Sequence, residues 1–171
     1  MGGGAWSAAR GRVIGSAVEI RPAVDADIAA VMRIERESFS DPWSEDSFRA
    51  SLQPERMRFL VARGGPVEEG SEPPLLGYVI ALMLVEEAEI ADIAVSTKAR
   101  RRGIGGLLLD SMLSEAADRG VLTMFLEVRE SNSAARALYE SRHFREVGRR
   151  RGYYRSPSED ALLLRRDLVP T

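Results

Sequence analysis

The chain contains no cysteine, and His143 is its only histidine. Without cysteine there is no disulfide framework, no thiolate nucleophile and no thiolate-bound metal. A single histidine also argues against a multi-histidine metal site and against a Ser-His-Asp relay. We therefore expect no bound metal.

An excess of positive charge and a long apolar stretch are also missing. The 24 Lys and Arg residues stand against 26 Asp and Glu residues, so no global basic field draws the protein to DNA or RNA. No stretch approaches the length of a membrane span, and the start of the chain lacks the apolar core of a signal peptide. We expect a cytoplasmic monomer or weak dimer, with neither DNA nor a membrane as a partner.

The length of 171 residues suits one domain, and no linker or internal repeat divides it. The Gly/Ala/Ser-rich start predicts a flexible extension at residues 1–16, followed by a single domain at 17–168. Apolar periodicity predicts elements in the order β-α-α-β-β-β-α-β-α-β-β, which indicates an α/β domain of the α+β kind with a mixed sheet. Predicted helix caps are Asp25, Ser44, and either Ser131 or Asn132.

The segment KARRRGIGGLL, at residues 98–108, follows a predicted strand and opens a helix. It does not match a dinucleotide fingerprint, because the sixth position from Gly103 is Leu108, and no P-loop lysine follows the glycines. A strand, a glycine turn and a helix N-terminus together favour a bound phosphate. Glycines that merely let helix and strand pack closely, with the arginines as a solvated rim, explain the segment equally well.

Three segments in order resemble the GNAT superfamily of acetyl-CoA-dependent N-acetyltransferases. They are IADIAVSTKARRRGIGGLLLDSML, LEVRESNSAARALYESRHF and RRRGYY. Within that superfamily they resemble the bacterial RimI type, the ribosomal-protein-alanine N-acetyltransferases, over about residues 18–168. The resemblance implies the GNAT acyl-CoA N-acyltransferase fold, acetyl-CoA as co-substrate and a protein N-terminus as acceptor. The acceptor it implies is the N-terminal alanine of the small-subunit ribosomal protein numbered eighteen.

The resemblance also implies a row of contacts to acetyl-CoA. The family pattern Gln/Arg-x-x-Gly-x-Gly/Ala is matched by Arg100, Gly103 and Gly105. A strand end is expected to hold the pantetheine arm, the next loop to wrap the pyrophosphate, and an asparagine to add a further contact. These residues are Ile93, Ala94 and Val95, then Arg100, Arg101, Arg102, Gly103, Ile104, Gly105 and Gly106, and lastly Asn132.

Acetyl transfer from a thioester to an amine requires an acid/base pair, because the amine must lose a proton and the departing thiolate benefits from gaining one. By the resemblance, Glu127 is the general base, directly or through water, and Tyr139 is the acid. The backbone N–H near Val95 is the candidate for polarising the thioester carbonyl. Taken alone, Glu127 is better explained by an ion pair with Arg129 or Arg136, and Tyr139 also fits a core position with its hydroxyl at the surface.

Two further segments, residues 40–48 and 149–154, resemble the acceptor side of the family. Their aromatic side chains are predicted to line a slot for a peptide N-terminus, although packing alone explains them equally well. Nearby acidic side chains are predicted to attract a basic peptide. The aromatic residues are Trp43, Tyr153 and Tyr154, and the acidic ones are Glu35, Asp41 and Glu45.

Other functions remain open from the residues. A GNAT enzyme for a small amine, a polyamine or a lysine side chain would keep the same fold and the same cofactor site. A non-catalytic CoA-binding module is a third candidate, and the presence of both Glu127 and Tyr139 argues against it.

Overall fold

A mixed β-sheet with helices on both faces forms the core of the computed structural model, which describes residues 12–13, 18–53, 55–65 and 70–168. The strands are β1 (Arg12–Val13), β2 (Val18–Pro22), β3 (Met57–Gly64), β4 (Leu75–Met83), β5 (Glu87–Val95), β6 (Thr123–Arg129), β7 (Arg145–Arg155) and β8 (Ser158–Asp167). The α-helices are α1 (Ile28–Ser38), α2 (Glu45–Ala50), α3 (Ile104–Asp118) and α4 (Ser133–Glu140). From β2 onward this is the predicted element order, which confirms the predicted fold class.

The strands lie in the order β1-β2-β3-β4-β5-β6-β8-β7. All neighbours are antiparallel except β5 and β6, which pair in parallel. β1 falls inside the predicted extension, and the rest of residues 1–16 lies outside the described residues. The division into an extension and a single domain stays a prediction.

Each face of the sheet has its own apolar core. On one face, α3 buries residues at helical spacing, including Ile104, Leu108 and Met112, against β3 to β6 and α4. On the other face, α1 and α2 bury Val31 and Phe48 against β3 and β4. Among the described residues, none of the helices combines the length and the apolar character that crossing a membrane requires.

Two of the predicted helix caps are confirmed. The side chains of Ser44 and Asn132 each accept a hydrogen bond from a backbone N–H three residues later, both at 3.1 Å, so Asn132 rather than Ser131 caps α4. The cap predicted at Asp25 is wrong, because a short 3₁₀ turn precedes α1. Asp27 closes that turn by accepting the backbone N–H of Val24 at 2.9 Å.

β5 and β6 pair over only part of their length. Their parallel register ends at the pair Ile90 and Leu126, whereas β5 continues to Val95 and β6 to Arg129. The two strand ends are therefore not hydrogen-bonded to each other, and a gap lies between them. α3 and α4 begin at the rim of this gap, because they follow β5 and β6 in the chain.

A β-bulge in β5 accompanies the separation. Asp92 pairs with Ile80 of β4, but Ile90 pairs with the next residue, Ala81, so Ala91 is an extra residue. Such a bulge bends a strand and turns the following side chains to the other face. Here it places Asp92 on the α1 side of the sheet.

Candidate active site

The outer edge of β5 presents backbone groups to the gap. The N–H of Ser96 donates to the carbonyl of Leu76 in β4 at 2.8 Å. Backbone groups of successive strand residues point alternately to the two sides, so this bond shows which of the preceding residues face β4. The backbone of Ala94 then faces β4, while the N–H and C=O groups of Ile93 and Val95 face the gap. This edge can hydrogen-bond an extended polar chain as a neighbouring strand would.

The first turn of α3 is open to solvent at its N-terminus. Gly103 is exposed and adopts the left-handed conformation, with φ of 78°, and no side chain caps the helix. A Cβ built on Gly103 would meet no atom within 4 Å. The first N–H groups of α3 thus have no capping side chain and lie beside an exposed glycine, at the positive end of the helix dipole, as an anion site requires.

The two other glycines of the segment are close-packing positions. A Cβ on Gly105 would lie 3.3 Å from the Cδ2 atom of Leu138, and one on Gly106 would collide with the guanidinium of Arg142. That guanidinium holds Asp110 by two hydrogen bonds, at 3.0 and 3.1 Å. The alternative interpretation, that glycines let elements approach, is therefore correct for Gly105 and Gly106.

The three arginines of the segment have different surroundings. The Nε of Arg100 donates to the carbonyl of Val95 at 3.2 Å, and its Nη2 lies 3.3 Å from the Oγ of Ser38. Arg101 and Arg102 are exposed in the turn before α3, and Arg101 adopts a positive φ of 60°. Arg100 thus ties this loop to the end of β5, while its two neighbours project from it.

Tyr139 is buried on the α3 and α4 side of the sheet, 5% exposed and in edge contact with Phe144. Burial raises the pKa of its hydroxyl well above the usual value, and the charges of Asp92 and Tyr154 raise it further. The hydroxyl is therefore protonated throughout the physiological range. The core position of the alternative interpretation is confirmed, and the role of the hydroxyl as an acid stays a prediction.

Glu127 points to the opposite face of β6. Its neighbours Leu126 and Val128 belong to the core beneath α3 and α4, and strand side chains alternate between faces. The Nε of Arg150 lies 2.7 Å from its Oε1, and the Glu127 side chain is 13% exposed. The alternative pairing with Arg129 or Arg136 is wrong.

The two tyrosines of β7 lie beside Glu127. Their rings meet edge to face with centroids 5.2 Å apart, and the guanidinium of Arg129 sits 4.0 Å above the Tyr154 ring. The charge of Glu127 raises the pKa of the Tyr153 hydroxyl, with burial adding to the shift. The structure thus brings together Glu127, Tyr153 and Tyr154, and the acceptor slot stays a prediction.

Trp43 is placed differently. Its ring packs against Phe48, with centroids 5.6 Å apart, at the edge of the α1 and α2 core. Its loop does reach the β7–β8 turn, because the Oγ of Ser40 donates to the carbonyl of Ser156 at 2.9 Å. The two acceptor-side segments therefore meet, but the indole lies in packing contacts.

A buried polar cluster links this loop to β5. Glu35 is 1% exposed, so the prediction that it attracts a basic peptide is wrong. Its carboxylate accepts the N–H of Trp43 at 2.7 Å and the hydroxyl of Tyr78, whose oxygen also lies 3.0 Å from Asp92 Oδ2. The sequence held a signal for it, because Glu35 falls on the apolar stripe of α1 and Asp92 between apolar residues of β5.

The model of the acetyltransferase (GNAT) family matches residues 28–144, a range that includes the gap, Glu127 and Tyr139. The [ribosomal protein bS18]-alanine N-acetyltransferase of Escherichia coli strain K12 is 38% identical over 141 residues, which are 81% of this chain and 89% of that protein. The chain belongs to the GNAT family of acetyltransferases.

Solved GNAT structures agree with the fold. The crystal structure of the ribosomal-protein-S18-alanine N-acetyltransferase from Escherichia coli superposes with a TM-score of 0.78 and 33% identity, covering 90% of this chain and 96% of that one. Arabidopsis thaliana NAA60 in complex with acetyl-CoA has a TM-score of 0.80 over 88% and 98% of the two chains, and its 20% identity shows the fold alone. The resemblance to the RimI type is thereby confirmed.

The residues present fit the acyl-CoA that GNAT enzymes use. The open edge of β5 suits an amide-bearing arm, and the free N–H groups after Gly103 suit a diphosphate. Asn132 stands at the rim as the cap of α4, with its Oδ1 already bound to the backbone of Ala135. Within the described part of the chain, no three His, Cys, Asp or Glu side chains are grouped to hold a metal ion.

Proposed function

We propose that this enzyme acetylates the N-terminal α-amine of a protein, and that the acceptor is the N-terminal alanine of ribosomal protein bS18. One observation carries the proposal. Glu127 of β6 and Tyr139 of α4 lie on opposite faces of the sheet, next to the gap between β5 and β6. The names of the relatives support the acceptor. A ribosomal acceptor also places the reaction in the cytoplasm, and we expect a monomer or weak dimer.

Acetyl-CoA, when bound, supplies the activated acetyl group as a thioester. We assign its arm to the gap-facing backbone of Ile93 and Val95, and its diphosphate to the turn at residues 100–106. The left-handed Gly103 lets the chain turn there without a side chain that would obstruct the N–H groups of α3. We assign the polarisation of the thioester carbonyl to a backbone N–H near Val95.

Glu127 is the proposed general base. An incoming α-ammonium group is attracted to its carboxylate and must lose a proton before the nitrogen can attack. Arg150 holds that carboxylate, and the arginine side chain is 60% exposed. The guanidinium end of this pair is solvated although the carboxylate end is not, so the arginine can leave as the amine takes its place.

Tyr139 is the proposed general acid. Its raised pKa keeps the proton on the hydroxyl until a thiolate forms beside it. The two groups work from opposite faces, so the proton leaves the amine on the β7 side and another is delivered on the α4 side. Tyr153 and Tyr154 flank the approach to Glu127 and are the proposed walls of the acceptor slot. Trp43 packs against the core beneath the loop on the other side of the slot and holds that loop in place.

The proposal is tested by acetyl-CoA turnover with three acceptors. They are a peptide that begins with the alanine of bS18, the same peptide with a blocked N-terminus and an internal lysine, and spermidine. We expect acetylation at the α-amine of the first peptide alone, mapped by mass spectrometry. Turnover with spermidine or the lysine peptide but not with the free N-terminus would overturn the acceptor assignment.

A further inference from the structure

The Glu35, Tyr78 and Asp92 cluster lies next to the proposed reaction site, and the mechanism above does not use it. Its three polar groups come from α1, β4 and the bulged part of β5, and each residue is at most 9% exposed. Two carboxyl groups are thus held around one hydroxyl in a region of low dielectric. Two buried charges of the same sign are costly unless a proton separates them.

The two carboxyl groups compete for one hydrogen-bond donor. The hydroxyl of Tyr78 contacts Glu35 and also lies 3.0 Å from Asp92 Oδ2, but it has a single proton to donate. One of the two carboxyl groups must therefore carry a proton of its own to hydrogen-bond that oxygen. Asp92 is the one on the strand that leads into the gap.

Two titratable groups face Asp92 directly, Glu35 from α1 and Tyr78 from β4, and a charge on Asp92 also raises the pKa of Tyr139 in α4. Burial, followed by the charge of Glu35, raises the pKa of Asp92 to about 8. Asp92 also lies directly before Ile93, beyond the last paired residues of β5 and β6. A charge on Asp92 would therefore act at the gap, next to the acid Tyr139.

We propose that Asp92 is a positioning residue that serves as a neutral carboxylic acid, and that its ionisation slows acetyl transfer by placing a negative charge beside the gap. This inference rests on the proposed function, in which a thiolate leaves next to Tyr139. A nearby carboxylate repels the developing thiolate and strengthens the hold of Tyr139 on its proton. Turnover thus has an alkaline limit set by a group that touches neither substrate.

The test compares the pH dependence of kcat in the wild type, Asp92→Asn and Glu35→Gln, at saturating acetyl-CoA and peptide. We expect the wild-type kcat to fall above pH 8, approaching a tenfold loss per pH unit. Asp92→Asn should lack this descending limb, because its amide cannot ionise. Glu35→Gln removes a charge that raises the pKa of Asp92, so its limb should move to lower pH. A limb unmoved in both variants overturns the proposal.

A second readout separates this proposal from the proposed function. Protein labelled with ¹³C at the aspartate carboxyls gives a signal for Asp92, identified by its absence in Asp92→Asn. We expect that signal to titrate with a midpoint near pH 8, well above the ordinary value for an aspartate carboxyl. A midpoint at the ordinary value of about 4 would overturn the proposal even if acetyl transfer proceeds as proposed. If no acceptor is acetylated, the proposed function fails while this titration still decides the state of Asp92.

Discussion

The two sides of the gap between β5 and β6 present different chemical groups, backbone amides on one side and side chains on the other. On the β5 side the proposed contacts are backbone N–H and C=O groups of a strand edge and of the first turn of α3. On the β6 side they are side chains held by other side chains, with Glu127 against Arg150 and Tyr153. In the proposed mechanism, backbone groups recognise what all acyl-CoA donors share, whereas side chains set the chemistry and the choice of acceptor.

The change with the largest expected effect is Tyr139→Phe, at the α4 face of the gap. Removing the hydroxyl leaves the departing thiolate without its proton donor, so kcat should fall by about 10²- to 10⁴-fold. The ring remains to fill its place beside Phe144, so the KM for acetyl-CoA and the Tm should change little. Steady-state kinetics and a thermal melt measure these quantities, and an unchanged kcat removes Tyr139 from the mechanism.

Glu127→Gln tests the β6 side. We expect kcat to fall by about 10²-fold near neutral pH, with part of the loss recovered at higher pH, where more of the amine is already unprotonated. The measurement is kcat against pH for both proteins. Arg129→Gln is a matched control, because it removes a charge beside Tyr154 without removing the base. A loss that is the same at every pH would show that Glu127 does not take up the proton.

Gly103→Ala tests the β5 side. The added Cβ meets no atom, but a left-handed alanine costs about 1–2 kcal/mol, and the shifted turn misplaces the N–H groups of α3. We expect the KM for acetyl-CoA to rise by about tenfold with a much smaller change in kcat. Gly120→Ala is the matched control after the C-terminal end of α3, where the glycine has a φ of 82° and an added Cβ likewise meets no atom within 4 Å. If the control raises the KM as much, the strain of a left-handed alanine next to α3, rather than an anion site, explains the effect.

The smallest expected effect lies outside both sides, at the end of α4. His143 adopts a positive φ of 62°, a conformation that favours glycine at a helix C-terminus. His143→Gly should relieve that cost and raise the free energy of unfolding by up to about 1 kcal/mol, offset in part by glycine entropy. Denaturant unfolding measures it. A large change in kcat would show that this end of α4 matters for catalysis.

The difference between the β5 side and the β6 side also explains how much of the site the sequence could predict. The strand, glycine turn and helix at residues 86–118 are adjacent in the chain, so local patterns predicted the element order and the open helix N-terminus. Asn132 as a cap was also predictable, because its partner is three residues away. These features depend on short-range rules that composition and periodicity carry.

The contacts of the β6 side depend on register. Glu127 pairs with Leu163 of β8, which in turn lies between β6 and β7, and a register shift in β7 follows Arg150. No local pattern shows that these elements bring Arg150 rather than Arg129 to Glu127. The bulge at Ala91 had a similar effect, because it moved Asp92 to the face where Glu35 and Tyr78 lie.

The most direct test of the central claim is a crystal structure with a conjugate of CoA joined to the α-amine of an alanine-starting peptide. The proposed mechanism predicts the peptide nitrogen within hydrogen-bond reach of Glu127, directly or through one water, with Arg150 displaced. It also predicts the sulfur beside the Tyr139 hydroxyl and the diphosphate on the N–H groups that follow Gly103. A conjugate bound with Glu127 still paired to Arg150 and remote from the nitrogen would contradict it.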